Sequence, residues 1–382
     1  MGRICSLLLT LLPATVAALF LCGSAAARPL GKTVTLRGGV VMPSVGLGSS
    51  GSCHPDPDGT ERTSCTNYAA ATAALGLGYR SFHTALSYEN QAGLGAAIKD
   101  AVATGALRRE DVFLMSMVPK YLMGYNHTKA SVAASLVQLQ VEYLDLVMIH
   151  HRAADLGDWP RNISKMQAFP DGWAGPGNPT SSGAFSLWTA PSCALADPTW
   201  QTCQDETWKA LVELRNEGII KAIGVSNWML PNLQRMKILG QELPAVNQIE
   251  QHIGWHDSEM VGWCAANGIV VQAATPLSRG KVFDDPTVLA VAAKHNKTAS
   301  QIALRFLLDI GVSPIPSSSH PEYQAENLDV FGFHLDVDDI ARLGRLSILC
   351  RGPAKDGLQK CWGDPATIMC GGGANGHMFH CP

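Results

Sequence analysis

The chain lacks a strong excess of either charge. Its 29 basic and 32 acidic residues leave a net charge of −3, which gives no electrostatic case for nucleic acid or an anionic membrane as partner. It also lacks an unbroken apolar run of the about 20 residues that a spanning helix needs. The most apolar stretch, Leu7 to Cys22, is interrupted by Pro13. No Gly-x-Gly-x-x-Gly turn follows an early strand, so a Rossmann-type dinucleotide site is not indicated. The C-terminal Phe379-His380-Cys381-Pro382 is not a retention signal.

What is present begins with a leader. Arg3 precedes the short apolar run, and Ser24-Ala25-Ala26-Ala27 supplies small residues for cleavage, so residues 1–27 read as a secretory signal peptide. A retained signal anchor is the alternative; after cleavage no membrane association is expected. The sequons at Asn126, Asn162 and Asn296 agree with secretion. So does cysteine placement: Cys53 with Cys65, and Cys193 with Cys203, each bracket a Gly/Pro/Asp-rich loop, as local disulfides do in an oxidising compartment. Cys350, Cys361, Cys370 and Cys381 lie in the tail and can pair in three ways. Cys370, His377, His380 and Cys381 can be drawn as a zinc set, but secreted cysteines more often pair with each other, and no metal is expected. Cys264 sits in a core-like pattern and reads as a small buried hydrophobe.

Beyond the leader, Thr33 to Leu36 and Val40 to Val45 read as a hairpin around Arg37-Gly38-Gly39. Strand-like segments then recur at 45–48, 80–83, 112–117, 144–149, 219–224, 245–248, 269–273 and 312–316. Helical periodicity fills 67–77, 91–104, 128–141, 204–216, 228–238, 256–266, 286–294, 299–309 and 321–328. This alternation predicts an α/β fold, a closed (β/α)8 TIM barrel over residues 28–348, with an open doubly wound sheet as the structural alternative. An insertion at 152–203 carries Trp159, Trp173, Trp188 and Trp200, and a cysteine-rich tail occupies 349–382. The insertion is either a stapled surface loop or a binding element.

The stretch Gly78 to Gln91, Gly-Tyr-Arg-Ser-Phe-His-Thr-Ala-Leu-Ser-Tyr-Glu-Asn-Gln, resembles a catalytic segment of the aldo-keto reductases. Further motifs follow in the family's order: Arg109 to Phe113, Tyr143 to His150, Ala222 to Asn227, Asn247 to Glu250, Ile315 to Ser318 and Glu326-Asn327. The resemblance covers residues 32 to 346 and implies an aldo-keto-reductase barrel acting on a small-molecule carbonyl with NADP or NAD. It implies Tyr88 as proton donor and His150 as the group that orients the carbonyl. It further implies Ser226, Asn227, Gln248, Leu277, Ser318, Glu326 and Asn327 as cofactor-binding residues.

The departures fall inside that pattern. His83 stands at the position of the family's aspartate and Met117 at that of its lysine. Together those two form a buried ion pair that makes the tyrosine a better acid. Losing both leaves a site that packs neutrally; losing one would strand a charge. Protonated His83, or Lys120 folding back, is the candidate surrogate cation. Ala274 replaces a stacking tyrosine, and Ser317 and Tyr323 replace the lysine and arginine that grip a 2'-phosphate. Two functional readings result. In one the chain is a degenerate reductase of the secretory pathway with weak or absent activity, kept for an unknown binding partner; in the other it is an active NAD(P)-dependent oxidoreductase. The residues taken singly also have plainer roles: Ser226-Asn227 as a helix cap, Glu326-Asn327 as helix surface.

Overall fold

The computed structural model describes residues 29–49, 67–151 and 201–346. The expected signal peptide, the pairing of Cys53 with Cys65, Cys193, Asn162, the four insertion tryptophans and the cysteine-rich tail lie outside the described residues.

An antiparallel hairpin comes first, β1 (Thr33–Thr35) and β2 (Val41–Pro43). Gly38 and Gly39 turn it with positive φ, a backbone that glycine adopts without a Cβ clash. Leu36 and Met42 pack against Phe113, Ala245 and Val246, at the starts of two strands. The hairpin therefore plugs the N-terminal mouth of the barrel.

Seven parallel strands follow in sequence order: β3 (Ser81–His83), β4 (Phe113–Val118), β5 (Leu144–Ile149), β6 (Ile220–Ser226), β7 (Val246–Glu250), β8 (Val270–Ala274) and β9 (Val312–Pro314). Residues 46–48 close the circle. On one side Leu47 N donates to Ser81 O and His83 N donates to Leu47 O; on the other, Gly46 N donates to Pro314 O and Gly48 N to Pro316 O. A Cβ on Gly48 would lie 2.5 Å from Ile315 O, so this eighth stave needs glycine to approach its neighbour.

Ten helices are described: α1 (Tyr68–Leu77), α2 (Gln91–Ala103), α3 (Tyr125–Leu139), α4 (Gln201–Asn216), α5 (Leu230–Ile238), α6 (Ser258–Ala266), α7 (Pro286–His295), α8 (Ala299–Asp309), α9 (Pro321–Leu328) and α10 (Val337–Gly344). The strands are buried on both faces, as parallel strands covered by helices must be. In β4, Leu114 and Val118 face the helix layer, while Phe113, Met115 and Met117 fill the lumen. Full burial of each such side chain contributes about 1.5–3 kcal/mol.

A buried carboxylate sits among the strands. Asp145, on the outward face of β5, accepts from Arg109 Nη2 at 2.9 Å, from Leu114 N at 3.0 Å and from Lys221 Nζ at 3.0 Å. It ties β4, β5 and β6 together, which gives the Arg109 and Asp145 motif positions a structural role. Cys264 is buried and free, as its pattern suggests, and burial pushes its thiol up to about 12. Among the described residues, no helix is long and apolar enough to cross a membrane.

Candidate active site

The C-terminal ends of the strands bring the motif residues to one mouth of the barrel, the face where folds of this kind carry their sites. His83 ends β3, Tyr88 ends a 3-10 turn at Leu86–Tyr88, His150 follows β5, and Ser226 ends β6. Tyr88 Oη lies 3.3 Å from His150 Nε2, with the two rings edge to face at 79°. Ser87 Oγ lies 3.4 Å from His150 Nδ1. His150 N donates to Val118 O at 3.0 Å, which pins the end of β5 to β4. Its ring stacks on His151 at 4.4 Å.

His83 is 3% exposed, and its ring meets the Tyr88 ring edge to face at 5.9 Å. Neither ring nitrogen has a hydrogen-bond partner among the described residues. Burial lowers its pKa to about 4, so at neutral pH His83 is an uncharged imidazole. That burial works against a role for His83 as the missing cation. Lys120 begins a 3-10 turn past the end of β4. Burial raises the Tyr88 hydroxyl to about 12, and no positive charge opposes it among the described residues.

Met117 occupies the lumen opposite Met148, with Met42 and Met115 in the same apolar cluster. This part of the lumen is apolar and filled by thioethers, which adapt to irregular space. No buried charge is stranded at either position.

The second half of the site is a chain of amides. Asn227 has φ 61°, a left-handed conformation that asparagine tolerates better than most residues. Its N–H donates to Gln248 O at 2.8 Å, and its Nδ2 donates to His150 O at 2.9 Å and to Ser226 Oγ at 3.1 Å. Asn227 thus brackets the ends of β5, β6 and β7. The helix-cap reading of Ser226-Asn227 does not hold: Met229 is the residue that caps α5, and its N–H donates to Asn232 Oδ1 at 3.2 Å. Gln248 Nε2 donates to Gln272 Oε1 at 2.7 Å, and Gln272 Nε2 lies 3.6 Å from Met115 Sδ.

The distal residues are placed differently. Ser318 Oγ accepts from His320 N at 3.1 Å and Ser318 O from Gln324 Nε2 at 2.8 Å, which builds the turn into α9. Glu326 accepts from Thr298 Oγ1 at 2.6 Å and from Ser300 Oγ, so it joins α9 to the N-terminus of α8. Asn327 is buried. Plain helix surface describes neither residue. Leu277 is partly buried, in contact with the main core, just before a turn at Ser278–Gly280. Tyr323 is exposed against His320.

Ser87, His151, Gln272 and Ser49, whose Oγ donates to His83 O at 2.7 Å, were not among the expected site residues. Two of them had a signal. Ser87 directly precedes Tyr88 in the motif, and Gln272 is the strand partner of Gln248.

Comparison with known proteins agrees with this geometry. The model of the aldo/keto reductase family matches residues 46–348. An uncharacterised oxidoreductase of Bacillus subtilis, YtbE, is 32% identical over 84% of this chain and 95% of its own length. The glyoxal reductase of the same organism is 31% identical over 82% of this chain and 92% of its own. The solved structure of a Bombyx mori aldo-keto reductase in complex with NADP superposes with a TM-score of 0.66 at 27% identity, covering 84% of this chain and 93% of that one.

Proposed function

The chain belongs to the aldo/keto reductase family, and from that premise we propose that it is a nicotinamide-nucleotide-dependent carbonyl reductase of the secretory pathway with an attenuated active site. The observation that carries the reading is the Tyr88–His150 pair, held at 3.3 Å beside a neutral His83 and an apolar Met117. The family's carbonyl-facing groups are kept, and the ion pair that sharpens them is absent.

The donor set fits the nicotinamide end of the cofactor. A hydroxyl at Ser226 and amides at Asn227 and Gln248, on adjoining strand ends, complement a carboxamide, and Gln272 holds the Gln248 side chain through one of its two ends. Such a group supplies a hydride when bound. Ser226, Asn227 and Gln248 would orient its ring, while Tyr88 and His150 receive a small carbonyl compound and polarise its oxygen. The phosphate end is weaker. Ser317 and Tyr323 bring no positive charge, and each charge-assisted contact not made costs about 1.5–3 kcal/mol. NADPH therefore gains little over NADH.

Support for the secretory assignment, with cleavage after residue 27 and a tail from 349, comes from the leader pattern and the cysteine placement. Cys203 is buried and disulfide-bonded. Asn296 is exposed at the left-handed end of α7, open to glycosylation.

Fluorescence titration of the secreted chain with NADPH and NADH tests the reading. Saturable binding of both, with affinities within about tenfold of each other, is expected. Absence of saturable binding by either nucleotide would sink it.

A further inference from the structure

Without the ion pair, the source of the proton needs a new account. Among the described residues no cation favours the Tyr88 phenolate, and burial pushes its hydroxyl up to about 12. An acid that weak gives little assistance near neutral pH, because proton transfer is most effective from a group whose pKa lies near the working pH. Imidazole is the side chain suited to that range.

His150 is held on several sides at the mouth. Hydroxyls from two successive residues of one turn stand at its two ring nitrogens, Ser87 Oγ at 3.4 Å from Nδ1 and Tyr88 Oη at 3.3 Å from Nε2. His151 covers one ring face, and Asn227 Nδ2 holds its carbonyl at 2.9 Å. The turn at Leu86–Tyr88 therefore works as a clip around the imidazole. Ser87, which can accept from Nδ1–H as well as donate to Nδ1, supports the ring in either protonation state.

We propose that His150, with Ser87 as its positioning residue, is the proton donor to the carbonyl oxygen in this chain, in place of Tyr88. The proposal rests on the carbonyl-reductase reading of the pocket. A bound reduced nicotinamide would supply the hydride to the carbonyl carbon, and the C=O π electrons would then move to oxygen. The Nε2–H bond of His150 breaks, and the O–H bond of the product alcohol forms. Neutral His150 then regains a proton from solvent. Tyr88 keeps a hydrogen-bonding role at the same oxygen. Among the described residues, the groups with a proton to exchange near His150 are Tyr88 from the turn after β3, His83 behind it on β3, and His151; Asn227, just after β6, is neutral.

The test compares wild type, Ser87→Ala, Tyr88→Phe and His150→Asn in the full secreted chain, by 15N NMR of labelled histidines and by reduction of 4-nitrobenzaldehyde with NADPH. Without cofactor, Ser87→Ala is expected to change the His150 tautomer signals and lower its titration midpoint, with the His150 resonances assigned by their loss in His150→Asn. In turnover, His150→Asn loses at least about 100-fold in kcat, whereas Ser87→Ala and Tyr88→Phe each lose about tenfold. Wild-type kcat declines as pH rises through the NMR midpoint of His150. Unchanged His150 signals in Ser87→Ala, or turnover abolished in Tyr88→Phe and retained in His150→Asn, overturns the proposal alone. A wild type that binds nucleotide and reduces no aldehyde overturns the reductase reading, and the proposal with it.

Discussion

At the scale of single residues, His83 carries the clearest consequence. Its folded pKa, about 4, lies below the ordinary histidine value of 6.5 because burial penalises the charged form. The unfolded chain therefore binds more protons at this position between those two values. Stability contributed by neutral His83 is complete above about pH 6.5 and is lost as pH falls toward 4. Two and a half units of difference correspond to about 3 kcal/mol. Urea unfolding of wild type and His83→Gln at pH 7 and pH 4.5 measures it: wild type should lose about 2–3 kcal/mol more than the variant on acidification. Equal losses would show that His83 is not held neutral by the fold.

The residue scale is also where sequence reading had its limits. The departures that the resemblance implies at His83 and Met117 are legible as soon as the motif is aligned by its glycine and tyrosine. Whether His83 is charged is not, because that depends on a burial that only the closed barrel creates. The Ser87–His150 contact joins residues 63 positions apart and depends on how the turn after β3 folds back over β5. The roles of Ser318 and Glu326 were likewise hidden, since their partners are backbone and hydroxyl groups of the turns around α8 and α9.

Among the elements, the strands were legible because each is a short apolar run separated by helical periodicity. Their C-terminal ends then fixed which residues could meet. Boundaries moved by a few residues: α3 begins at Tyr125 and α4 at Gln201, ahead of their most regular apolar spacing. The helix α10 was not expected, since it buries only Asp339 and Leu343 among its residues. Its start is fixed by Asp336, which accepts from Asp339 N at 2.8 Å. The element-level prediction concerns Asp145, whose carboxylate is 5% exposed and bonded to Arg109 and Lys221. Asp145→Asn removes the charge and leaves Arg109 largely buried without its counter-ion, at an expected cost of about 3 kcal/mol. A urea midpoint unchanged within error would show that the β4–β5–β6 clamp is not held by this carboxylate. Aldehyde turnover measured well below the midpoint should change far less, because Asp145 faces the helix layer.

For the whole molecule, the barrel and the hairpin plug follow the family fold. At the mouth His83 and Met117 are both buried, and neither leaves an unpaired buried charge. Ser226, Asn227 and Gln248 are tied to the strand ends and to one another's neighbours. On the proposed reading, the mouth takes a nucleotide and a carbonyl compound but lacks the ion pair that would strengthen its tyrosine acid. The most direct test is steady-state reduction of 4-nitrobenzaldehyde by wild type and by the double replacement His83→Asp with Met117→Lys, at saturating NADPH and pH 7. Rebuilding the ion pair should raise kcat by at least about 100-fold. A wild type already as fast as the double replacement would contradict the attenuated site.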